Sequence, residues 1–165
     1  MHKVYIGIDN GVSGALVAIG AEGGFLWGLP MPITKRGKSN MVDVSTIKNE
    51  LYSFAMDKTA TVLYEAPTKH ALGKLSLCST HECYGAVRAV LEILELRTHI
   101  ITNPRTWQKE FWNTSSGYDT KAEGLRVARM LWPKETFLRT PRCKTPDTGI
   151  VDAALIAEYG RRKGL

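Results

Sequence analysis

The chain opens with three short segments rich in apolar residues, joined by turns that contain glycine. The first segment, residues 3–9, places apolar side chains on one face and reaches an acidic residue at its end. Two similar segments follow at 15–19 and 25–29, after turns at 10–14 and 20–24. Alternation with a period of two is typical of strands, and connections this short allow only antiparallel pairing. The sequence therefore predicts an antiparallel meander as the first unit of the fold.

The remainder of the chain alternates helices and strands. Apolar spacing predicts helices over about 44–56, 81–96 and 149–162, strands over 61–65 and 98–102, a short helix starting at 103–104, and a helix that Asp119 caps and that runs to about Trp132. Polar segments at 35–40, 68–80 and 139–146 are predicted to be loops. This order predicts one α/β domain over residues 1–165, with a mixed five-stranded sheet of three antiparallel and then two parallel strands, flanked by helices.

Charge and cysteine content narrow the class of protein. The net charge is +6, from 22 Lys and Arg against 16 Asp and Glu, which favours a nucleic-acid partner. No apolar run approaches the roughly 20 residues of a membrane span, and no signal-peptide pattern is visible, so we expect a cytoplasmic protein without a membrane partner. Cys78, Cys83 and Cys143 form no CxxC pair. We therefore expect reduced thiols rather than disulfides or a zinc site.

Three acidic residues lie in surroundings that are otherwise apolar. Asp9 and Glu65 each end a predicted strand, and Asp152 lies within an apolar helical segment. A buried carboxylate is costly unless it is paired or binds a metal, and hard oxygen ligands suit Mg²⁺, with Mn²⁺ as a substitute. Two such ions about 4 Å apart are the usual device for phosphodiester hydrolysis. The alternative interpretations are a turn residue for Asp9 and a helix-surface ion pair for Asp152.

Four segments in order resemble the motifs of RuvC-type Holliday junction resolvases, phage-encoded members in particular. They are residues 6–15 (IGIDNGVSGA), 63–67 (LYEAP), 103–109 (NPRTWQK) and 149–160 (GIVDAALIAEYG). The resemblance covers nearly the whole chain, and the order, spacing and strand placement of the motifs agree. It implies a ribonuclease H-like fold, Mg²⁺ in the active site, a homodimer and symmetrical nicking of four-way DNA junctions.

By the same resemblance, Asp9, Glu65 and Asp152 match the metal-binding catalytic acids of the family. Asp9 would bridge two ions, with Glu65 on one of them and Asp152 on the other. The family has a further acid or histidine three or four residues before the last aspartate, where this chain has glycine and threonine. Asp147, five residues before Asp152, is therefore predicted to be either a fourth catalytic and metal-binding residue or the cap of the last helix.

The predicted DNA contacts are basic residues that reach phosphates, because a junction is recognised by its shape. The resemblance places segment 68–80 at the junction centre, and an exposed loop without this role is the alternative. It makes the helix over 81–96 the dimer helix, although its apolar residues also fit a core helix. Lys121 and Lys144 are candidates to stabilise negative charge during cleavage. The predicted DNA-binding residues are Lys69, His70, Lys74, Lys121, Arg142 and Lys144.

Proteins with other functions share parts of these motifs. An actin-like or sugar-kinase-like ATPase also begins with Ile-Gly-Ile-Asp-x-Gly, but it needs a second such domain, for which 165 residues leave no room. We therefore expect no nucleotide cofactor. A related ribonuclease H-like nuclease that cuts flaps, other branched DNA or RNA/DNA hybrids stays as an alternative, as does a non-catalytic protein that binds DNA junctions.

Overall fold

The computed structural model describes residues 3–37, 39–67, 74–114 and 119–165. The strands in these ranges are β1 (Val4–Asp9), β2 (Ala15–Gly20), β3 (Phe25–Pro30), β4 (Ile33–Arg36), β5 (Ser39–Val42), β6 (Ala60–Glu65) and β7 (Arg97–Ile101). One sheet has the order β3-β2-β1-β6-β7. Strands β1, β2 and β3 pair antiparallel, and β6 and β7 continue parallel to β1. The predicted α/β fold, with a mixed sheet of three antiparallel and then two parallel strands flanked by helices, is confirmed.

Helices flank this sheet and begin where capping residues stand. They are α1 (Val44–Asp57), α2 (Lys74–Ile93), α3 (Arg105–Gln108), α4 (Thr120–Leu131) and α5 (Thr148–Lys163). Asp43 and Asp119 accept hydrogen bonds from backbone N–H groups in the first turns of α1 and α4, which satisfies donors that have no partner within the helix. Across the described residues, no helix combines the length and the apolar character that a membrane span requires.

Two segments that were predicted to be loops contain regular structure. Segment 35–40 belongs largely to the β4–β5 hairpin, apart from Lys38, which lies outside the described residues. The side chains of this hairpin are mostly exposed, so apolar alternation could not reveal it. The loop predicted over 68–80 is wrong from residue 74 onward, where α2 begins, while residues 68–73 lie outside the described residues.

Alternation along β1 gives the sheet two different faces. Ile6 and Ile8 are buried in a cluster with residues of α1 and α2. Tyr5 is buried in the other cluster, which contains most of α5. Side chains of a strand point alternately to opposite faces, so Gly7 and Asp9 share the side of Tyr5. The strand thus places its terminal acid on the face that α5 covers.

Helix α5 approaches the sheet closely because glycine meets it at two places. A Cβ atom on Gly7 would lie 2.0 Å from the carbonyl oxygen of Ala153 and 2.5 Å from the backbone nitrogen of Ala157. A Cβ atom on Gly149 would lie 2.6 Å from the carbonyl oxygen of Ser13. Any side chain at either position would therefore collide with backbone that cannot easily move. The two glycines set the depth at which α5 lies against β1 and the turn that follows it.

Candidate active site

Two of the predicted acids stand at the carboxyl ends of neighbouring parallel strands. Asp9 ends β1, and Glu65 ends β6. The parallel register pairs Ile8 with Tyr64, so the next residue of each strand lies at the same edge of the sheet. Because the strands run in the same direction and in register, the two carboxylates also point to the same face. The backbone alone therefore brings Asp9 and Glu65 together under α5.

Helix α5 carries the third acid to the same place. Asp152 lies near the start of α5, between the buried residues Val151 and Ala153. Its charge raises the pKa of Asp9, and so does that of Glu65, which places the three carboxylates within Coulombic range of one another. The structure thus brings together the three acids that the sequence singled out.

Burial and mutual repulsion make these acids hard to ionise. Burial raises the pKa of Asp9 well above its ordinary value, and the charges of Asp152, Glu65 and Asp147 raise it further. Burial and the charge of Glu65 raise the pKa of Asp152 from 3.8 to about 7, although the positive charge of Lys121 opposes this rise. A cation held among the acids would favour their ionised forms and remove the repulsion.

Glu65 is held by side chains from two other elements. The indole Nε1–H of Trp107, a residue of α3 that is only 2% exposed, donates a hydrogen bond to Oε1 of Glu65. This bond counteracts the rise that burial gives to the pKa of Glu65. Nδ2 of Asn10 donates a hydrogen bond of 2.6 Å to the backbone carbonyl oxygen of Glu65. The end of β6 is thus tied both to α3 and to the turn after β1.

The acids are coupled through their charges without forming a tight cluster. Among the described residues, no three acidic, His or Cys side chains are arranged to hold a metal ion as they stand. The side chain of Glu65 is directed to Trp107, and both oxygens of Asp147 accept hydrogen bonds from other groups. Carboxylates that repel one another take separate donors, so a shared cation has to draw these side chains together.

Asp147 caps α5 and is paired with a basic residue. Its Oδ1 accepts hydrogen bonds from two backbone N–H groups in the first turn of α5, and its Oδ2 accepts one from Nη1 of Arg139 at 2.9 Å. Arg139 also donates to the carbonyl oxygens of Val12 and Ser13, in the turn after β1. The helix-cap interpretation of Asp147 is confirmed, while its role as a metal ligand stays a prediction. Its charge still raises the pKa of Asp9.

Lys121 is the basic residue that the structure relates most directly to the acids. It lies in the first turn of α4, and its charge lowers the pKa of both Asp9 and Asp152. It also lines a cavity together with Asp152. An exposed ammonium group in this position can contact a phosphate that approaches Asp152.

The structure relates the other predicted DNA-binding residues less directly to the three acids. Arg142 and Lys144 are exposed in the segment that precedes α5. Lys69 and His70 lie outside the described residues. Lys74 is the first residue of α2, but its side chain is not described. All five keep the predicted role of phosphate contacts.

Sequence reasoning missed three residues that shape the site. Trp107 is buried, and its indole N–H needs an acceptor, which Glu65 supplies. Asn10 stands directly after Asp9, so its position in the sequence could have marked it as a residue of the site. Arg139 had no signal that separated it from the other basic residues of its segment.

The cysteines are free thiols, as predicted, and one of them supports the site. Sγ of Cys83 on α2 accepts a hydrogen bond from the backbone N–H of Gly11 at 3.2 Å. Burial raises the pKa of Cys83 to about 11, so this thiol stays protonated near neutral pH. Its contribution is to hold the turn that follows Asp9.

The donor set fits a hard divalent cation. Asp9, Glu65 and Asp152 offer only oxygen ligands, which Mg²⁺ and Mn²⁺ prefer. Oδ1 of Asn10 is also buried, and it has no hydrogen-bond partner in the part of the chain that the structure describes. A further oxygen is therefore present beside Asp9.

The raised pKa of Asp152 predicts that the metal-free protein loses stability as the pH rises. Protonation favours the folded state, because the folded pKa of about 7 lies above the ordinary value of 3.8. This contribution is complete below the lower value and is lost as the pH passes through the higher one. Asp152→Asn should flatten the profile and make the metal-free protein more stable near pH 8 by roughly 4 kcal/mol, since one pKa unit corresponds to about 1.4 kcal/mol. Urea unfolding in a chelator between about pH 5 and about pH 8 measures it.

The matched control for this prediction is Asp57→Asn, which changes an exposed aspartate at the end of α1. We expect its profile to follow that of the wild type. Mg²⁺ should stabilise the wild type more at the higher pH, because ligands bind in their deprotonated form. Identical profiles for Asp152→Asn and the wild type would contradict the electrostatic coupling described above.

Comparisons with known proteins identify the fold. No protein-family model matches the chain, and no curated protein matches it. A structure described as Thermus thermophilus RuvC matches 98% of this chain and 96% of its own, with 15% identity and a TM-score of 0.55. A structure of T. thermophilus RuvC in complex with Holliday junction substrate matches 99% of this chain and 97% of its own, with 14% identity and a TM-score of 0.59. The chain therefore has the RuvC fold, as its motifs implied.

Proposed function

We propose that this chain is a metal-dependent endonuclease that nicks four-way DNA junctions. The observation that carries the proposal is the meeting of Asp9, Glu65 and Asp152 at one end of the sheet. Burial raises the pKa of all three carboxylates, and repulsion raises the pKa of Asp9 and Asp152 further. A fold hosts many functions, so the argument rests on this site. The similar RuvC structure that holds a Holliday junction substrate supports the choice of DNA.

In this proposal, the three acids hold two Mg²⁺ ions, and Mn²⁺ can substitute for them. Such ions, when bound, supply an activated water and stabilise the leaving oxygen, which gives 5′-phosphate and 3′-hydroxyl ends. The protein chain itself contributes the positions of the metal-binding side chains. Strands β1 and β6 fix Asp9 and Glu65, and α5 fixes Asp152. Trp107 orients Glu65, as outer partners of metal ligands commonly do.

Phosphate contacts supply the affinity for DNA. Lys121 stands next to Asp152, and Arg142 and Lys144 lie in the exposed segment before α5. We propose that Lys69, His70 and Lys74, which follow Glu65 in the chain, complete this surface. The net charge of +6 is consistent with it. Contacts to phosphates carry no base identity, which suits recognition of a junction by its shape.

A second copy of the chain completes the proposed enzyme. A four-way junction presents two equivalent strands, and an isologous dimer arranges two identical sites around a two-fold axis. Each chain then cuts one strand, and the two cuts are symmetrical. Helix α2 is the proposed dimer helix, by the resemblance to the family.

Cleavage of a set of substrates that share one sequence tests the proposed function. The set contains a mobile four-way junction, a flap, an RNA/DNA hybrid and a linear duplex, each with Mg²⁺. We expect the junction to be cut faster than the others by at least about tenfold, which corresponds to about 1.4 kcal/mol in the barrier. Preferred cutting of flaps or hybrids would instead make the chain a related nuclease. Tight junction binding without any cutting would make it a non-catalytic binder.

A further inference from the structure

A cavity of about 220 Å³ lies beside Asp152, between residues of α4 and of α5. Its polar lining comes from Asp119, Lys121, Thr148 and Asp152. Oδ1 of Asp119 accepts hydrogen bonds from two backbone N–H groups of α4. The wall of the cavity, in contrast, is apolar and is formed by two residues of α4, one residue of the segment that leads into α5 and one residue of α5 itself. These wall residues are Ala122, Leu125, Pro146 and Val151.

The apolar wall has no use in phosphate chemistry. Carboxylates that hold cations and a lysine that contacts a phosphate act on charge, and Ala122, Leu125 and Val151 offer none. A group that fits both parts of the cavity is apolar on its faces and is attached to a phosphate. A nucleobase meets this description, because every base has an apolar π-face and is linked through its sugar to the backbone phosphate.

A second depression continues from this cavity along α4. Ala122 and Leu125 line both concavities, and Arg126, Arg129 and Met130 line the outer one. Met130 is 70% exposed there. A positively charged groove can track the backbone of a single strand, and apolar side chains can pack against the faces of its bases. The two concavities therefore adjoin along α4, and both combine apolar with cationic side chains.

We propose that the cavity between α4 and α5 binds one unpaired nucleobase of the strand that is cut, next to the scissile phosphate. This inference rests on the proposed function, since it places the cut phosphate at Asp152. The cavity of about 220 Å³ is smaller than the roughly 300 to 1,000 Å³ typical of pockets for drug-sized ligands, so its size suits a single base. A base has to leave its duplex to enter, which is easiest where DNA is readily deformed, as at flexible steps. The cavity is then also the place where a sequence preference in cutting arises.

Binding of short single strands tests this inference without requiring cleavage. The probes are a labelled oligothymidine and a strand of the same length made only of abasic sites, which carry the same phosphates without bases. Fluorescence anisotropy is recorded with Ca²⁺ in place of Mg²⁺, because Ca²⁺ binds the same class of oxygen ligands. We expect the wild type to bind oligothymidine about tenfold more tightly than the abasic strand.

Ala122→Phe, which fills the cavity from an exposed position on α4, should abolish this preference and leave the affinity for the abasic strand unchanged. Leu125→Ser should weaken the preference without adding bulk. The matched control is Ser53→Phe, which adds the same ring at an exposed position of α1 and should keep the tenfold preference.

Failure of this inference and failure of the proposed function give different experimental results. A wild type that does not distinguish the two strands, or a preference that both cavity variants retain, overturns the inference, whether or not junctions are cut. A preference that Ala122→Phe abolishes supports the binding of a base in this cavity, even in a protein that proves unable to cut a junction. That last result would overturn the proposed function alone.

Discussion

Asp9→Asn is expected to lower the rate of junction cleavage by at least about a hundredfold and to leave junction binding nearly unchanged. Loss of an outer partner of a metal ligand costs about 10- to 100-fold, and Asp9 is proposed as the ligand shared by both ions. Asparagine keeps the size of the side chain and removes its charge. Since burial and neighbouring charges raise the pKa of Asp9, the metal-free variant should fold at least as stably as the wild type. Single-turnover cleavage and equilibrium binding, measured on one junction, separate the two effects.

Asp57→Asn serves again as the matched control, because it makes the same chemical change at an exposed position. We expect it to cleave at the wild-type rate. Full activity of Asp9→Asn would remove Asp9 from the proposed site. A loss of binding together with cleavage would point to a folding defect, which thermal unfolding of the variant reveals.

Gly7→Ala is expected to destabilise the protein by more than about 3 kcal/mol, the upper end of the usual cost of overpacking. The added Cβ would lie 2.0 Å from the carbonyl oxygen of Ala153 and 2.5 Å from the backbone nitrogen of Ala157. Both are backbone atoms inside α5, so no side-chain rotation relieves the contact. Urea unfolding monitored by tryptophan fluorescence measures the loss.

Gly20→Ala is the control for this substitution, since it makes the same change in the neighbouring strand. A Cβ atom there meets only side-chain atoms of Leu26, at 3.9 Å, which is ordinary contact. We expect its stability to differ from the wild type by less than about 1 kcal/mol. Any Gly7→Ala protein that stays folded should cut junctions slowly, because α5 then holds Asp152 further from Asp9. Equal stability of Gly7→Ala and Gly20→Ala would contradict the close packing of α5 on β1.

The features that follow from local pattern could be predicted from the sequence. Apolar alternation predicted the strands of the main sheet, and the capping residue Asp119 predicted the start of α4. The three acids stood out because each follows or interrupts an apolar run. Parallel pairing of β1 with β6 then explains why Asp9 and Glu65 meet, since strands that end at the same edge bring their last residues together.

Features that depend on tertiary contacts could not be predicted. Arg139 contacts Asp147 and the turn after β1 only because the chain folds back on itself. The sequence does not indicate which of several neighbouring basic residues makes these contacts. The hydrogen bond of Trp107 to Glu65 joins residues that are far apart in the chain. The β4–β5 hairpin has little buried surface, so its sequence shows no hydrophobic pattern that would predict it.

The most direct test of the central claim is to map the cuts on a mobile four-way junction whose two opposite strands carry different labels. With Mg²⁺, the wild-type protein should nick both strands at symmetrical positions and leave 5′-phosphate ends that a ligase can reseal. Asp152→Asn, assayed in parallel at the same protein concentration, should leave both strands intact. Nicks that persist at full rate in Asp152→Asn, or a junction that the wild type binds and never cuts, would contradict the claim that Asp9, Glu65 and Asp152 form the active site of a junction-cutting nuclease.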